Sequence, residues 1–104
     1  MEQIAFLMRL KPGHESEYRR RHAAIWPELQ EALTRAGVRD YSIFLDAVTL
    51  NLFAVLRLTP DNARDALPSM PVMRRWWDFM ADLMEVDATH RPVERALTPV
   101  FHMD

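Results

Sequence analysis

Tyr18, His22 and Trp26 recur at i, i+4 and i+8, a spacing that places them on one face of a helix. Farther along, Trp76 and Trp77 are adjacent within Val72-Met73-Arg74-Arg75-Trp76-Trp77-Asp78-Phe79-Met80. Neighbouring residues on a helix point about 100° apart, so both indoles cannot share one narrow core stripe. One can fill the core; the other faces a pocket, a partner or water. An aromatic-walled site with one titratable ring among its walls suits a small polyhydroxy ligand, whose flat C–H faces sit beside hydroxyls. Imidazole can take or give a proton near neutral pH, so acid and base roles are both open to His22. His22 follows Arg19-Arg20-Arg21, and any arginine held close would disfavour imidazolium and bias the ring to its neutral form. The plainer alternative is a helix histidine satisfied by a backbone or carboxylate partner. Tyr18 and Tyr41 are the two tyrosines; even as core residues they would need partners for their hydroxyls. Arg19–Arg21 otherwise reads as a solvated face or ion-pair row.

Other chemistries lack their residues. There are no cysteines, which excludes thiolate metal sites, disulfides and a cysteine nucleophile and fits a reducing cytoplasm. His14, His22, His90 and His102 have no close ligand spacing, so no metal is expected. Two glycines in the whole chain leave no phosphate-cradling loop or dinucleotide fingerprint, hence no cofactor motif. No Gly-x-Ser-x-Gly elbow supports a serine nucleophile. A net charge of -2 without a concentrated basic face argues against nucleic acid. Ala47–Leu56 is the longest uncharged run, far below the roughly 20 residues a bilayer span needs, and the N-terminus lacks the features of a signal peptide. Glu28, Asp40, Asp46, Asp78 and Asp82 could each supply a carboxylate, and the sequence does not choose among them.

The elements that must position these groups fit one domain over residues 1–104. Alternation predicts strands over 4–10, 41–45 and 50–58, the last two joined as a hairpin. Helical spacing runs from Ser16 to Ala36, with Gly37 as its stop. Pro27 within it either kinks the helix or begins a second helical piece. A short helix follows to Ala66, and Pro71 opens another helix running to about Met84. Residues 85–96 read as a polar loop, and Val100–Met103 as a closing strand entered through Pro99. The order β-α-β-β-α-β is that of an α+β ferredoxin-like fold, an antiparallel four-stranded sheet with helices on one face. Strand 50–58 carries large apolar residues on both faces, so the helix-free face needs cover, and a second copy packed sheet against sheet is the simplest source.

Three segments carry a resemblance. Tyr18-Arg19-Arg20-Arg21-His22-Ala23-Ala24-Ile25-Trp26-Pro27-Glu28-Leu29, Tyr41-Ser42-Ile43-Phe44-Leu45-Asp46 and Arg75-Trp76-Trp77 followed by Met80 and Met84 resemble, in order and spacing, the motifs of the bacterial L-rhamnose mutarotases. The likeness spans nearly the whole chain. Ala23 and Asp40 stand where that family carries asparagine. The resemblance implies a dimeric ferredoxin-like α/β-barrel arrangement and interconversion of the α and β anomers of L-rhamnose without a cofactor. It also implies that His22 is the catalytic proton donor, with Tyr18, Tyr41, Trp76 and Trp77 lining the sugar site. The second proton-transfer group is unassigned: a tyrosine, a carboxylate or water would serve. Two rival readings remain: a cofactor-free monooxygenase of the same dimeric fold class, and a sugar-binding module without catalysis.

Overall fold

In the computed structural model, which describes residues 1–104, the apolar alternation of two central strands organises everything else. β1 (Glu2–Arg9) and β3 (Asn51–Leu58) pair antiparallel from Glu2↔Leu58 to Arg9↔Asn51. This register sets Ile4, Phe6 and Met8 beside Leu56, Ala54 and Leu52 on one face, and Leu7 beside Phe53 on the other. β2 (Val38–Leu45) lies on the far side of β3, and β4 (Arg95–Ala96) pairs with β1 at Phe6 and Leu7, giving the order β2-β3-β1-β4. The expected α+β ferredoxin-like architecture is therefore present. Its core lies between the inner sheet face and the helices: Phe6, Met8, Leu52, Ala54 and Leu56 are buried against Leu29, Met73, Trp76, Met80 and Leu83.

The helical stretch after β1 is two helices, α1 (Glu15–Ala23) and α2 (Pro27–Arg35). Of the two roles open to Pro27, it takes the second: it is the first residue of α2, where its missing N–H costs nothing. Trp26 before it is extended, at φ -63° and ψ 128°, because proline disfavours a helical predecessor. After α2, Gly37 turns at φ 93°, and a Cβ there would lie 3.0 Å from the Cα of Asn62 and collide with the Thr59 hydroxyl. Only glycine lets the 59–63 connection close on the end of α2, where the Ala63 N–H donates to the Ala36 carbonyl at 2.7 Å. That closure fixes the 3-10 turn Arg64–Ser69, which replaces the expected helix ending at Ala66.

Three other expectations need correction. α3 (Pro71–Met80) stops short of Met84 because the backbone beyond it is recruited by the end of β1. Lys11 N–H donates to the Leu83 carbonyl at 2.8 Å, and Glu85 N–H to the Arg9 carbonyl at 2.9 Å. The 85–96 segment is not a plain loop. Val86 bridges Pro92, the Asp87 carboxylate accepts from the amides of Thr89 and Arg91, and β4 itself lies at its end. The strand expected at Val100–Met103 does not form. Arg95–Ala96 takes the free edge of β1, and the ladder ends with the Leu97 N–H on the Ala5 carbonyl at 2.9 Å. Beyond it Pro99 offers no donor, and Val100, Phe101 and Met103 are exposed.

One irregularity in β2 matters for the site. Its register against β3 shifts between Arg39 and Ser42, and Asp40 adopts φ 48°, a left-handed conformation that Asp tolerates better than most residues. The bulge re-aims the strand where Tyr41 stands, as bulges beside active sites do.

Candidate active site

A cleft of about 960 Å³ opens between the inner sheet face and the helices, and Tyr18, His22, Tyr41, Trp76 and Trp77 all line it. The five residues singled out from the sequence thus converge on one cavity, within the usual size range of small-molecule sites. α1 supplies Tyr18 and His22, the bulged β2 supplies Tyr41, and α3 supplies both indoles. Trp76 is buried and Trp77 half-buried, so the pair divides as adjacent helix positions must, with both rings bordering the cavity. Trp26 is not a cleft wall. It packs edge-on to Trp76, centroids 5.1 Å apart at 85°, and so backs the wall from behind the break between α1 and α2.

His22 sits between the Tyr18 ring, 4.3 Å away centroid to centroid, and the edge of Trp76 at 5.4 Å and 88°. Its Nδ1 lies 3.1 Å from the Tyr18 carbonyl oxygen. A carbonyl only accepts, so Nδ1 carries the proton and Nε2 is left with its lone pair in the neutral ring. Burial pushes the ring's pKa below 6.5, and the hydrogen bond to the Tyr18 carbonyl opposes that push without reversing it. At neutral pH His22 is therefore a neutral base with a bare Nε2. The neutral bias expected from neighbouring arginines comes instead from desolvation. Burial likewise raises the Tyr18 hydroxyl, with a smaller push from Tyr41. Tyr41 is 39% exposed, yet desolvation by the cleft walls raises it to about 12, helped by Glu94 and opposed by Arg64. Both phenols stay protonated and can donate hydrogen bonds to a ligand.

The arginine run is only partly the solvated row its sequence suggests. Arg20 is exposed and pairs with Glu17 at 2.6 Å. Arg21, only 12% exposed along its side chain, donates to Glu17 at 2.8 Å, to the Phe79 carbonyl at 2.6 Å and to both oxygens of Asp82 at 2.9 and 3.2 Å. Its guanidinium also lies over the Phe79 ring, 4.4 Å from the centroid. These bonds fasten α1 to the C-terminal end of α3, whose exposed carbonyls favour a cation. Between them the two arginines hold the Glu17 carboxyl down at about 2, the Arg20 bond contributing most.

The candidate carboxylates mostly have other tasks. Glu28 pairs with Arg75, Asp78 with the His90 ring, Asp82 with Arg21, and Asp46 accepts turn amides from Val48 and Thr49. Asp40 borders the cleft. So do Arg64, Arg91 and Glu94, none of which the sequence marked. Arg64 lies in the stretch expected as a short helix and Arg91 and Glu94 in the one expected as a loop, and no periodicity ties residues so far apart to one cavity. No three His, Asp or Glu side chains gather in a cluster that could hold a metal ion, and no helix is long and apolar enough to cross a membrane.

The fold recurs in Rv0793 from Mycobacterium tuberculosis, at a TM-score of 0.60 and 16% identity over 99% of this chain and 100% of that one. At that identity the likeness defines the class only: an α+β domain of ferredoxin-like topology. Within that class, residues 3–103 match the family model described as L-rhamnose mutarotase. L-rhamnose mutarotase of Burkholderia orbicola (strain MC0-3) is 59% identical over 104 residues, all of both chains. The crystal structure of L-rhamnose mutarotase FA22100 from Formosa agariphila superposes at a TM-score of 0.93 with 40% identity, again over the full length of both chains. The chain belongs to the L-rhamnose mutarotase family.

If Arg21 fastens α1, replacing it by methionine frees that helix without dissolving the sheet. Native-state hydrogen exchange should show the amides of residues 18–23 exchanging about tenfold faster or more, with those of β1 and β3 little changed. Unaltered protection in α1 would show that the arginine is dispensable there.

Proposed function

We propose that this chain interconverts the α and β anomers of L-rhamnose, with His22 as the proton carrier and Tyr18, Tyr41, Trp76 and Trp77 as the walls that hold the sugar. The observation that supports this best is a single imidazole, neutral and with its Nε2 free, set among two phenols and two indoles in one cleft. Ring opening moves one proton and breaks one bond. Nε2 takes the anomeric hydroxyl proton. The electron pair left on that oxygen becomes the carbonyl π bond as the bond from C1 to the ring oxygen breaks. The imidazolium then gives its proton to the ring oxygen, and His22 is neutral again. The open aldehyde rotates about C1–C2 and recloses by the same steps in reverse on its other face. Both oxygens are bonded to C1, so one nitrogen can serve each in turn. His22 is then the donor to the ring oxygen, as the family resemblance implies, but only after it has acted as the base. The phenols donate to sugar hydroxyls, and the indoles cover the C–H faces.

The same reading makes the working unit a cytoplasmic homodimer. Phe44, Phe53 and Leu7 are cross-strand neighbours on the outer sheet face, where Phe44 is 64% and Phe53 40% exposed. A second copy stacked on this row would bury it, giving the dimeric α/β-barrel arrangement, and the absence of cysteine fits a reducing compartment.

Two measurements check these statements. His22→Ala should slow anomer exchange, followed by saturation-transfer NMR on the anomeric protons, by roughly 10²–10⁴-fold with thermal unfolding preserved; exchange at the wild-type rate would remove His22 from the reaction. Sedimentation of the wild type should give twice the chain mass and Phe53→Lys the mass of one chain. A monomeric wild type would contradict the dimer.

A further inference from the structure

Among the charged side chains that border the sugar cleft with no part in the proton transfer just described, Arg64 and Glu94 are paired. Arg64 Nη2 lies 3.5 Å from Glu94 Oε1, with the side chains 29% and 31% exposed. Both line the same cavity as His22 and Tyr41. Each is held by its backbone. Arg64 opens the 3-10 turn, its N–H donating to the Asn62 side chain at 3.2 Å, and its guanidinium lies 5.4 Å from the Phe6 ring centroid. Glu94 stands between the Val93 N–H, bonded to the Glu85 carbonyl at 3.1 Å, and β4, which is zipped to β1. The carboxylate is therefore presented by paired backbone on both sides. Both charges act on Tyr41, which lines the same cavity, Glu94 raising its hydroxyl and Arg64 lowering it.

A surface ion pair at this separation adds little to stability. Placed in a cleft, the same two groups have a different use. A carboxylate offers several lone-pair directions and a guanidinium several N–H groups in a fixed fork, so the pair can accept from one ring hydroxyl and donate to its neighbour. Apolar walls alone cannot discriminate hydroxyls, whereas a site built to bond one rejects the analogue that lacks it.

We propose that Glu94, braced by Arg64, is a substrate-binding residue that accepts from one ring hydroxyl while Arg64 donates to its neighbour, and that it sets which sugars the cleft accepts. The inference rests on the sugar-isomerase reading above and assigns the 85–96 segment a share in specificity.

The test compares wild type, Glu94→Ala and Glu94→Gln by anomer exchange on L-rhamnose and on its monodeoxy analogues, with thermal unfolding as the folding control. A wild type that failed to exchange L-rhamnose would overturn the function itself, separately from this proposal. With an active wild type, Glu94→Ala should raise KM for L-rhamnose about tenfold or more, the scale of one charge-assisted hydrogen bond, with kcat within about threefold. Glu94→Gln, which keeps one accepting oxygen, should fall between. For the analogue lacking the hydroxyl that Glu94 bonds, Glu94→Ala should change KM by less than about twofold. Unchanged KM for L-rhamnose, an equal rise for every analogue, or a fall in kcat at constant KM would each overturn the proposal; the last would make Glu94 a proton-transfer group instead.

Discussion

The site depends on one guanidinium. α1 has the sequence Glu-Ser-Glu-Tyr-Arg-Arg-Arg-His-Ala and buries only Tyr18, so it lacks the apolar stripe by which a surface helix normally docks. Arg21 supplies the attachment instead, spanning Glu17, the Phe79 carbonyl and Asp82. The next residue along is His22, whose ring thereby meets Trp76. The Arg21 stem and fork are largely covered, and its partners are ionised or carbonyl acceptors, the combination in which such bonds are strongest. A helix too polar to be held by hydrophobic burial can leave one face open to a cleft, which a fully docked amphipathic helix could not.

From that attachment the chemistry follows by burial. Moving imidazole into the cleft wall costs its charged form more than the Tyr18 carbonyl returns. The same carbonyl decides which nitrogen keeps the proton. Tautomer, protonation state and orientation of the ring are thus set together by its position one turn after Tyr18. The phenols respond oppositely to the same environment, since burial of an acid favours its neutral, protonated form. His22 therefore stands in the cleft as a neutral base between two protonated phenols. That is the division of labour a hemiacetal needs if it is to open and close without any group of larger reach.

Much of this was legible in the sequence, for specific reasons. β1 and β3 declare themselves by apolar runs bounded by turn residues, and α3 by its apolar spacing; the five cleft residues stand on α1, β2 and α3, so they could be placed. Proline 27 left two possibilities open because a helix start and a kink use the same residue. The closing strand was misplaced because Val100–Met103 is apolar while Arg95–Ala96 is not, and the edge of β1 was won by backbone hydrogen bonding that carries no side-chain pattern. Arg64 and Glu94 were invisible for a related reason: they reach the cleft from a 3-10 turn and a short irregular segment, where spacing says nothing about direction. Arg21 looked like solvated charge because its partners Phe79 and Asp82 lie on a distant helix end.

The central claim is that His22 acts from its neutral form. The most direct measurement is the pH dependence of kcat/KM for L-rhamnose anomer exchange, corrected for the uncatalysed reaction, since it reports ionisation in the free enzyme. A neutral working His22 gives a plateau at and above neutral pH and a fall on acidification through a single ionisation below 6.5. A rate that rose on acidification would mean that imidazolium is the working form, and one flat across the same range would mean that His22 carries no proton.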